Sequence, residues 1–432
     1  MSGPVIGIVG FVICVALIFA RVPVAVAMGM VGAVGYGTLS GWESLAFVLG
    51  KAPFDAVFPY DLSVVPLFVM MGVFAGHAGL SRSLYNFVAA FVGHFRGGLA
   101  LATIGACALF GAICGSSIAT AATLGRVALP EMRRHHYSDS LASASIAAGG
   151  TLGVMIPPSI LFVIYGLMTE QSIGKLFTSG IFPGIAGMLL YMGAVQWTTW
   201  RDPAAGPAGP KVKFAQKLES LREVWKVALL FGVVLGGMNV GWFSPTEAAA
   251  VGAFGAVVLA IMSGQLDRKT LFECMRETTT TSGMIFMIVI GASIFNFFLE
   301  TTGFTQGAMD YIQGLGWNRW LVMAALMLFY IILGCFLDSV SMILLTIGPV
   351  YPLVTALAFD PIWFGVMLVT VAEIGMITPP VGMNLFVLQA VSKLQMQTIT
   401  RGILPFVIVD CVRLLLLSLF PAIATWLPSQ ML

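Results

Sequence analysis

Two proline pairs carry most of the chemistry this sequence offers: Pro157-Pro158 and Pro379-Pro380, each inside an apolar segment. A proline within a helix removes one N–H donor and crowds the carbonyl four residues earlier. The first pair therefore frees the carbonyls of Gly153 and Val154, and the second pair those of Gly375 and Met376. In hydrocarbon a carbonyl without a partner is costly, so each must face protein, water or a cation. Hard cations prefer oxygen ligands, and hydroxyls at Ser159 and Thr378 stand beside the two breaks. The expected chemistry is cation coordination near the membrane midplane. A pair of proline-kinked structural helices is the plainer alternative.

Other polar groups gather ahead of each break. Gly115-Ser116-Ser117 and Asp338-Ser339-Val340-Ser341 sit in the middle of apolar stretches, 98–129 and 318–349, that are too long for one span. Both read as tips of re-entrant hairpins, where hydroxyls offer oxygen ligands. Asp338 is the sharper signal, since a carboxylate at membrane depth needs a partner or a function. Ser116, Ser159, Ser339 and Asn384 are the candidate substrate contacts. Glu373 either tunes a cation site or satisfies a freed backbone N–H. Asp410 and Arg413, three apart, pair on one helix face. Arg133-Arg134-His135-His136 reads as solvated interfacial charge rather than a metal site.

The elements that hold these residues repeat. Gly153 to Pro158 returns as Gly375 to Pro380, 222 residues later, and the same offset relates Ser117 to Ser339, Pro130 to Pro352, Gly180 to Gly402 and Pro183 to Pro405. One offset over so many positions means two copies of one unit. Single spans are expected near 5–20, 22–40, 62–79, 139–168, 176–197, 227–241, 247–263, 280–299, 362–391 and 399–427. Arg82, Arg96, Arg126, Arg133, Arg134, Lys211, Arg222, Arg268, Lys393 and Arg401 then fall on one side, and Glu43, Asp61, Glu170, Glu247 and Asp360 on the other. Because basic residues favour the cytoplasm, both termini lie outside, and the copies, starting on opposite sides, are inverted. The expected divisions are N-terminal scaffold helices 1–40, a first repeat 41–198 with hairpin 98–129 and broken helix 139–168, a linking section 199–263, and a second repeat 264–432 with hairpin 318–349 and broken helix 362–391. Duplicated, interrupted membrane helices point to a transporter's binding site.

Composition agrees: the chain is 59% hydrophobic and 9% charged, too apolar for a soluble domain of this length. This is an all-α polytopic membrane protein. Its six scattered cysteines lack metal-site spacing. No nucleotide-binding GxxxxGK[ST] motif occurs, nor a GxSxG or HExxH constellation, so neither ATP hydrolysis nor other enzyme activity is expected; nothing suggests a nucleic-acid partner. The opening segment reads as a retained span, not a removed signal peptide.

The chain resembles the large membrane subunit (DctM-like) of tripartite ATP-independent periplasmic (TRAP) transporters. The resemblance is carried by Arg21-Val22-Pro23-Val24-Ala25, Gly79-Leu80-Ser81, Gly115-Ser116-Ser117, Leu129-Pro130-Glu131-Met132, Ile156-Pro157-Pro158-Ser159, the run Ser244-Pro245-Thr246-Glu247 to Ala253, and Glu373-Ile374-Gly375 leading to Thr378-Pro379-Pro380-Val381-Gly382. It implies an ion-transporter-type elevator fold in a bacterial inner membrane and sodium-coupled import of an organic acid, a carboxylate. It implies two Na+ sites: Ser116, Ser117, Gly153, Ile156 and Pro158, and Gly334, Asp338, Gly375, Thr378 and Val381. It implies two partners, a small four-helix membrane subunit, here expected as a separate polypeptide, and a periplasmic substrate-binding protein. The hairpins and broken helices would move against a scaffold that includes 62–79, 176–197, 280–299 and 399–427. A stand-alone carboxylate transporter of related inverted-repeat fold, or a membrane assembly subunit without a transport path, are the rival readings.

Overall fold

The fold, in a computed structural model, is described for residues 2–209 and 211–431. Those residues form α-helices and short 3-10 turns, and among them there is no strand. Seven helical stretches are long and apolar enough to cross a membrane.

The duplication is visible helix by helix. Gly98–Cys114 and Ser117–Arg134 form the first hairpin; Arg319–Gly334 and Ser339–Ala356 form the second. Asp139–Met155 and Ile160–Thr169 are the halves of the first broken helix, matched by Pro361–Ile377 and Met383–Ser392. Ile173–Arg201 then corresponds to Met396–Leu419, and Leu80–Val92 to Phe304–Gly314. Start signals are duplicated too. Ser138 accepts from the Leu141 N–H at 3.3 Å, and its counterpart Asp360 accepts from the Trp363 N–H at 2.8 Å. Such side-chain caps satisfy donors that a helix start leaves bare.

The two broken helices run in opposite directions. At one end Tyr165, in the later half of the first, donates its hydroxyl to the Pro361 carbonyl at the start of the second, 2.6 Å away. At the other end Arg133, just ahead of the first, reaches the Ser392 carbonyl that ends the second, at 3.4 Å. Opposed contacts at both ends fix the copies as inverted. Small residues allow this close approach: the first half-helix, DSLASASIAAGGTLGVM, packs on every side. The most apolar stretch of 139–169 is 83% buried, against 28% for that of 396–419, so the broken helix is a core element and the latter faces outward.

Several elements depart from the expectation. The helices Trp42–Val57, Leu80–Val92 and Phe304–Gly314 were not foreseen, because each mixes polar residues into a short stretch. The spans expected at 227–241 and 280–299 begin earlier, giving Phe214–Asn239 and Arg268–Thr301. Their leading turns, rich in Lys, Glu and Arg, are good helix formers that apolarity alone does not reveal. The non-helical part of the linking section 199–263 ahead of its first helix is accordingly short, lying between Arg201 and Phe214. It is pinned to the first copy by Gly97 N–H to Gly206 carbonyl (2.9 Å), Ser138 N–H to Ala205 carbonyl (3.0 Å) and Gly209 N–H to Gly93 carbonyl (3.0 Å).

Candidate functional site

In the first copy the hairpin tip lies against the break. Gly115 turns the chain with φ 62°, a left-handed conformation that glycine adopts without penalty. Ser116 is extended, and its hydroxyl accepts from the Ala119 N–H at 3.4 Å, starting the second arm. The Ser116 carbonyl accepts the Thr120 hydroxyl at 2.7 Å. Gly153 packs directly on this turn: a Cβ there would stand 2.8 Å from Thr120 Oγ1 and 3.3 Å from the Ser116 carbonyl oxygen. A Cβ on Gly115 would come 2.9 Å from the Pro158 carbonyl oxygen. Ser116, Gly153 and Pro158 are thus brought together, with Ser117 buried alongside and Ile156 half-buried.

Of the two carbonyls expected to be free here, one is taken. Ser159 donates its hydroxyl to Val154 across the break and also caps Ile160–Thr169. Fully buried and engaged in this way, Ser159 repairs the backbone at the break. The Gly153 carbonyl accepts no hydrogen bond among the described residues. Thr120 was missed as a site residue; its position one turn after Ser116 was the available signal.

The second copy repeats the plan with different side chains. Gly375 meets Gly334 so closely that a Cβ on Gly375 would lie 2.6 Å from the Gly334 carbonyl carbon. The Gly382 N–H donates to the Cys335 carbonyl at 3.0 Å, sewing tip to break. A Cβ on Gly382 would lie 3.1 Å from the carbonyl oxygens of both Met376 and Thr378. The Gly375 carbonyl accepts from the Thr378 N–H at 3.2 Å, so the expectation that it stands free fails: a tighter last turn recruits it. Thr378 also donates its hydroxyl to the Ile374 carbonyl at 2.6 Å. Met376 is left with no partner for its carbonyl among the described residues. Asp338, half-buried, caps the second arm by accepting from the Ser341 N–H at 3.0 Å. The hydroxyls of Ser339 and Ser341 are buried without hydrogen-bond partners, and Val381 is half-buried just after the break.

The two sites are alike in backbone and unlike in charge. At the 222-residue offset Asp338 stands where the first copy has Ser116, Thr378 where it has Ile156, and Val381 where it has Ser159. Each break thus keeps one hydroxyl, at opposite edges, and only the second tip carries a carboxylate.

Asn384 was expected to contact substrate. Instead it is buried and joins the copies, donating through Nδ2 to Ser117 Oγ at 2.6 Å and to the Ala147 carbonyl at 3.1 Å. Of the two roles expected for Glu373, capping a freed backbone N–H is not what it does here: its carboxylate receives Arg413. Arg413 also reaches Asp410 Oδ1 at 2.9 Å, as its spacing suggested, and Asp410 accepts the Tyr191 hydroxyl. Tyr191 lies 3.1 Å from the hydroxyl of Thr151. This buried chain runs from one broken helix to the other through Ile173–Arg201 and Met396–Leu419. Those two helices were assigned to the scaffold, yet the network binds them to the broken helices.

The donor set is hard and oxygen-rich: Gly153 and Met376 carbonyls without partners, Ser116 and Thr120 at one tip, Asp338, Ser339 and Ser341 at the other. That composition suits a hard cation such as an alkali ion.

Comparison with known proteins agrees with this architecture. The family model described as "Tripartite ATP-independent periplasmic transporter, DctM component" matches residues 11–423. The chain is 36% identical over 373 residues to the C4-dicarboxylate TRAP transporter large permease protein DctM of Pseudomonas aeruginosa, covering 86% of each protein. It is 30% identical to the sialic acid TRAP transporter large permease protein SiaM of Vibrio cholerae, covering 100% of this chain and 99% of that one. Among solved structures, the YdaH transporter of Alcanivorax borkumensis superposes with a TM-score of 0.59 at 15% identity, over 90% of each chain.

Proposed function

This chain belongs to the DctM component family of tripartite ATP-independent periplasmic transporters, and from that premise we propose that it imports an organic acid across the bacterial inner membrane, driven by sodium. It is a multi-pass membrane subunit of a transport system and not an enzyme. The observation that carries the sodium reading is the pairing of each hairpin tip with a helix break, where the carbonyls of Gly153 and Met376 lack hydrogen-bond partners. Sodium is cargo here, held by backbone oxygens together with Ser116 and Thr120 at one tip and Asp338 at the other. The substrate is a carboxylate, as the dicarboxylate and sialic acid relatives suggest. Its carboxylate meets the space between the two tips, with Ser116 and Ser339 at the edges. Hairpins and broken helices then travel as one body, in an elevator motion, between the two faces of the membrane. A small membrane subunit and a periplasmic binding protein complete the system.

Reconstitution tests this. Proteoliposomes holding this chain and its small subunit, with the binding protein outside, are offered a labelled C4-dicarboxylate or sialic acid. Uptake is expected only with an inward sodium gradient and with both partners present. Transport by the chain alone would favour the stand-alone reading, and uptake indifferent to sodium would remove the coupling.

A further inference from the structure

A cavity of about 610 Å³ lies well away from the breaks, between helix Leu80–Val92 and the second arm of the first hairpin, Ser117–Arg134. The pinned segment around Pro207 closes one side. Its polar wall is rich in donors. Arg82 and Arg126 line it, and neither is in an ion pair among the described residues. Asn86 adds an amide. Glu131, the carboxylate in the wall, is engaged by His135 Nε2 at 3.2 Å. Tyr85 is the telling residue: it lines the cavity, is only 3% exposed, and its hydroxyl has no hydrogen-bond partner. Burying a hydroxyl without an acceptor is unfavourable, and the side chain that carries it forms part of the cavity wall.

We propose that this cavity binds a phosphate-bearing anion, and that its source is the headgroup of an acidic phospholipid. Guanidinium forks match phosphate oxygens two at a time, a neutral hydroxyl and amide add no charge, and the two arginines outnumber the single carboxylate of the wall, Glu131. The remaining wall is apolar, with Ala89, Leu99 and Val127 among its residues, which suits the glycerol end of a lipid. Arg82 and Arg126 belong with Arg96, Arg133, Arg134 and Arg222 to the basic side of the membrane topology. By the positive-inside rule this is the cytoplasmic face, where basic pockets between membrane helices hold acidic headgroups. A headgroup gripping both arginines ties helix Leu80–Val92 to the first hairpin.

The test uses the purified full chain in detergent, followed by its thermal unfolding midpoint. Phosphatidylglycerol is titrated in one arm, phosphatidylcholine in a second and inorganic phosphate in a third. Phosphatidylglycerol is expected to raise the midpoint and phosphatidylcholine to leave it unchanged. The double variant Arg82→Gln/Arg126→Gln should weaken the apparent affinity roughly tenfold or more, since each basic group contributes near a charged lipid surface. Tyr85→Phe should weaken it a few-fold. A control removing equal charge outside the cavity, Arg96→Gln/Arg222→Gln, should respond like wild type. Inorganic phosphate raising the midpoint as far as the lipid would support the site but assign it to the free anion. An unaltered lipid response in the Arg82/Arg126 double variant, or an equal response to phosphatidylcholine, overturns the proposal.

Discussion

Single residues divide the two halves of the site more sharply than the backbone does. Asp338 and Ser116 occupy equivalent positions, each capping the second arm of its hairpin, but only one is charged. A carboxylate a few Å from a cation contributes several kcal/mol even in a fairly polar interior, and ligand charge is a main control on affinity. Asp338→Asn should therefore raise the sodium concentration for half-maximal thermal stabilisation by about tenfold or more. Ser116→Ala should change it less. Equal effects, or none, would remove Asp338 from the cation's surroundings. Arg413 gives a different forecast, because it stands fully buried between Glu373 and Asp410. Arg413→Met strands two buried carboxylates and should cost about 3–5 kcal/mol of stability. Replacing Glu373 and Asp410 with Gln and Asn in the same chain should recover much of that loss in denaturant melts. Failure to recover would mean that Arg413 acts through packing rather than charge. The Asp410–Arg413 pair could be read from a spacing of three, whereas Glu373 lies 40 residues away from Arg413 and only folding brings it near. The partners of Asn384 were hidden for the same reason: Ser117 and Ala147 are in the other copy.

At the scale of helices, the sequence was most legible where it repeated. Hairpin tips and breaks fell where Gly115-Ser116, Asp338, Pro157 and Pro379 put them, because a missing N–H or a left-handed glycine leaves the chain few local choices. Amphipathic pieces such as Leu80–Val92 were not legible, since they cross nothing and their polar residues resemble loop. Membership in a moving or fixed body was also hidden. If the broken helices move as proposed, the buried chain from Thr151 through Tyr191, Asp410 and Arg413 to Glu373 carries Ile173–Arg201 and Met396–Leu419 with them. That has a measurable outcome in a cysteine-free background. Phe68 and Phe177 pack with ring centroids 5.8 Å apart, linking helix Val64–His77 to Ile173–Arg201. A thiol cross-linker joining Phe68→Cys to Phe177→Cys should abolish uptake. Joining Tyr191→Cys to Phe406→Cys, whose native rings lie 5.7 Å apart within the same body, should not abolish it. Survival of transport with 68 and 177 linked would return Ile173–Arg201 to the scaffold.

Taken whole, the molecule is two copies turned end for end about one another, with contacts at Tyr165–Pro361 and Arg133–Ser392 marking the reversal. Turned upside down, such a body presents nearly the same profile of helices to the opposite leaflet. Conformations open to either compartment can then lie close in free energy, without an intrinsic ratchet between them. Net direction falls to whatever concentration difference the surroundings maintain, and a modest one suffices. The mismatched caps, serine in one copy and aspartate in the other, break that evenness in charge at a single pair of equivalent positions.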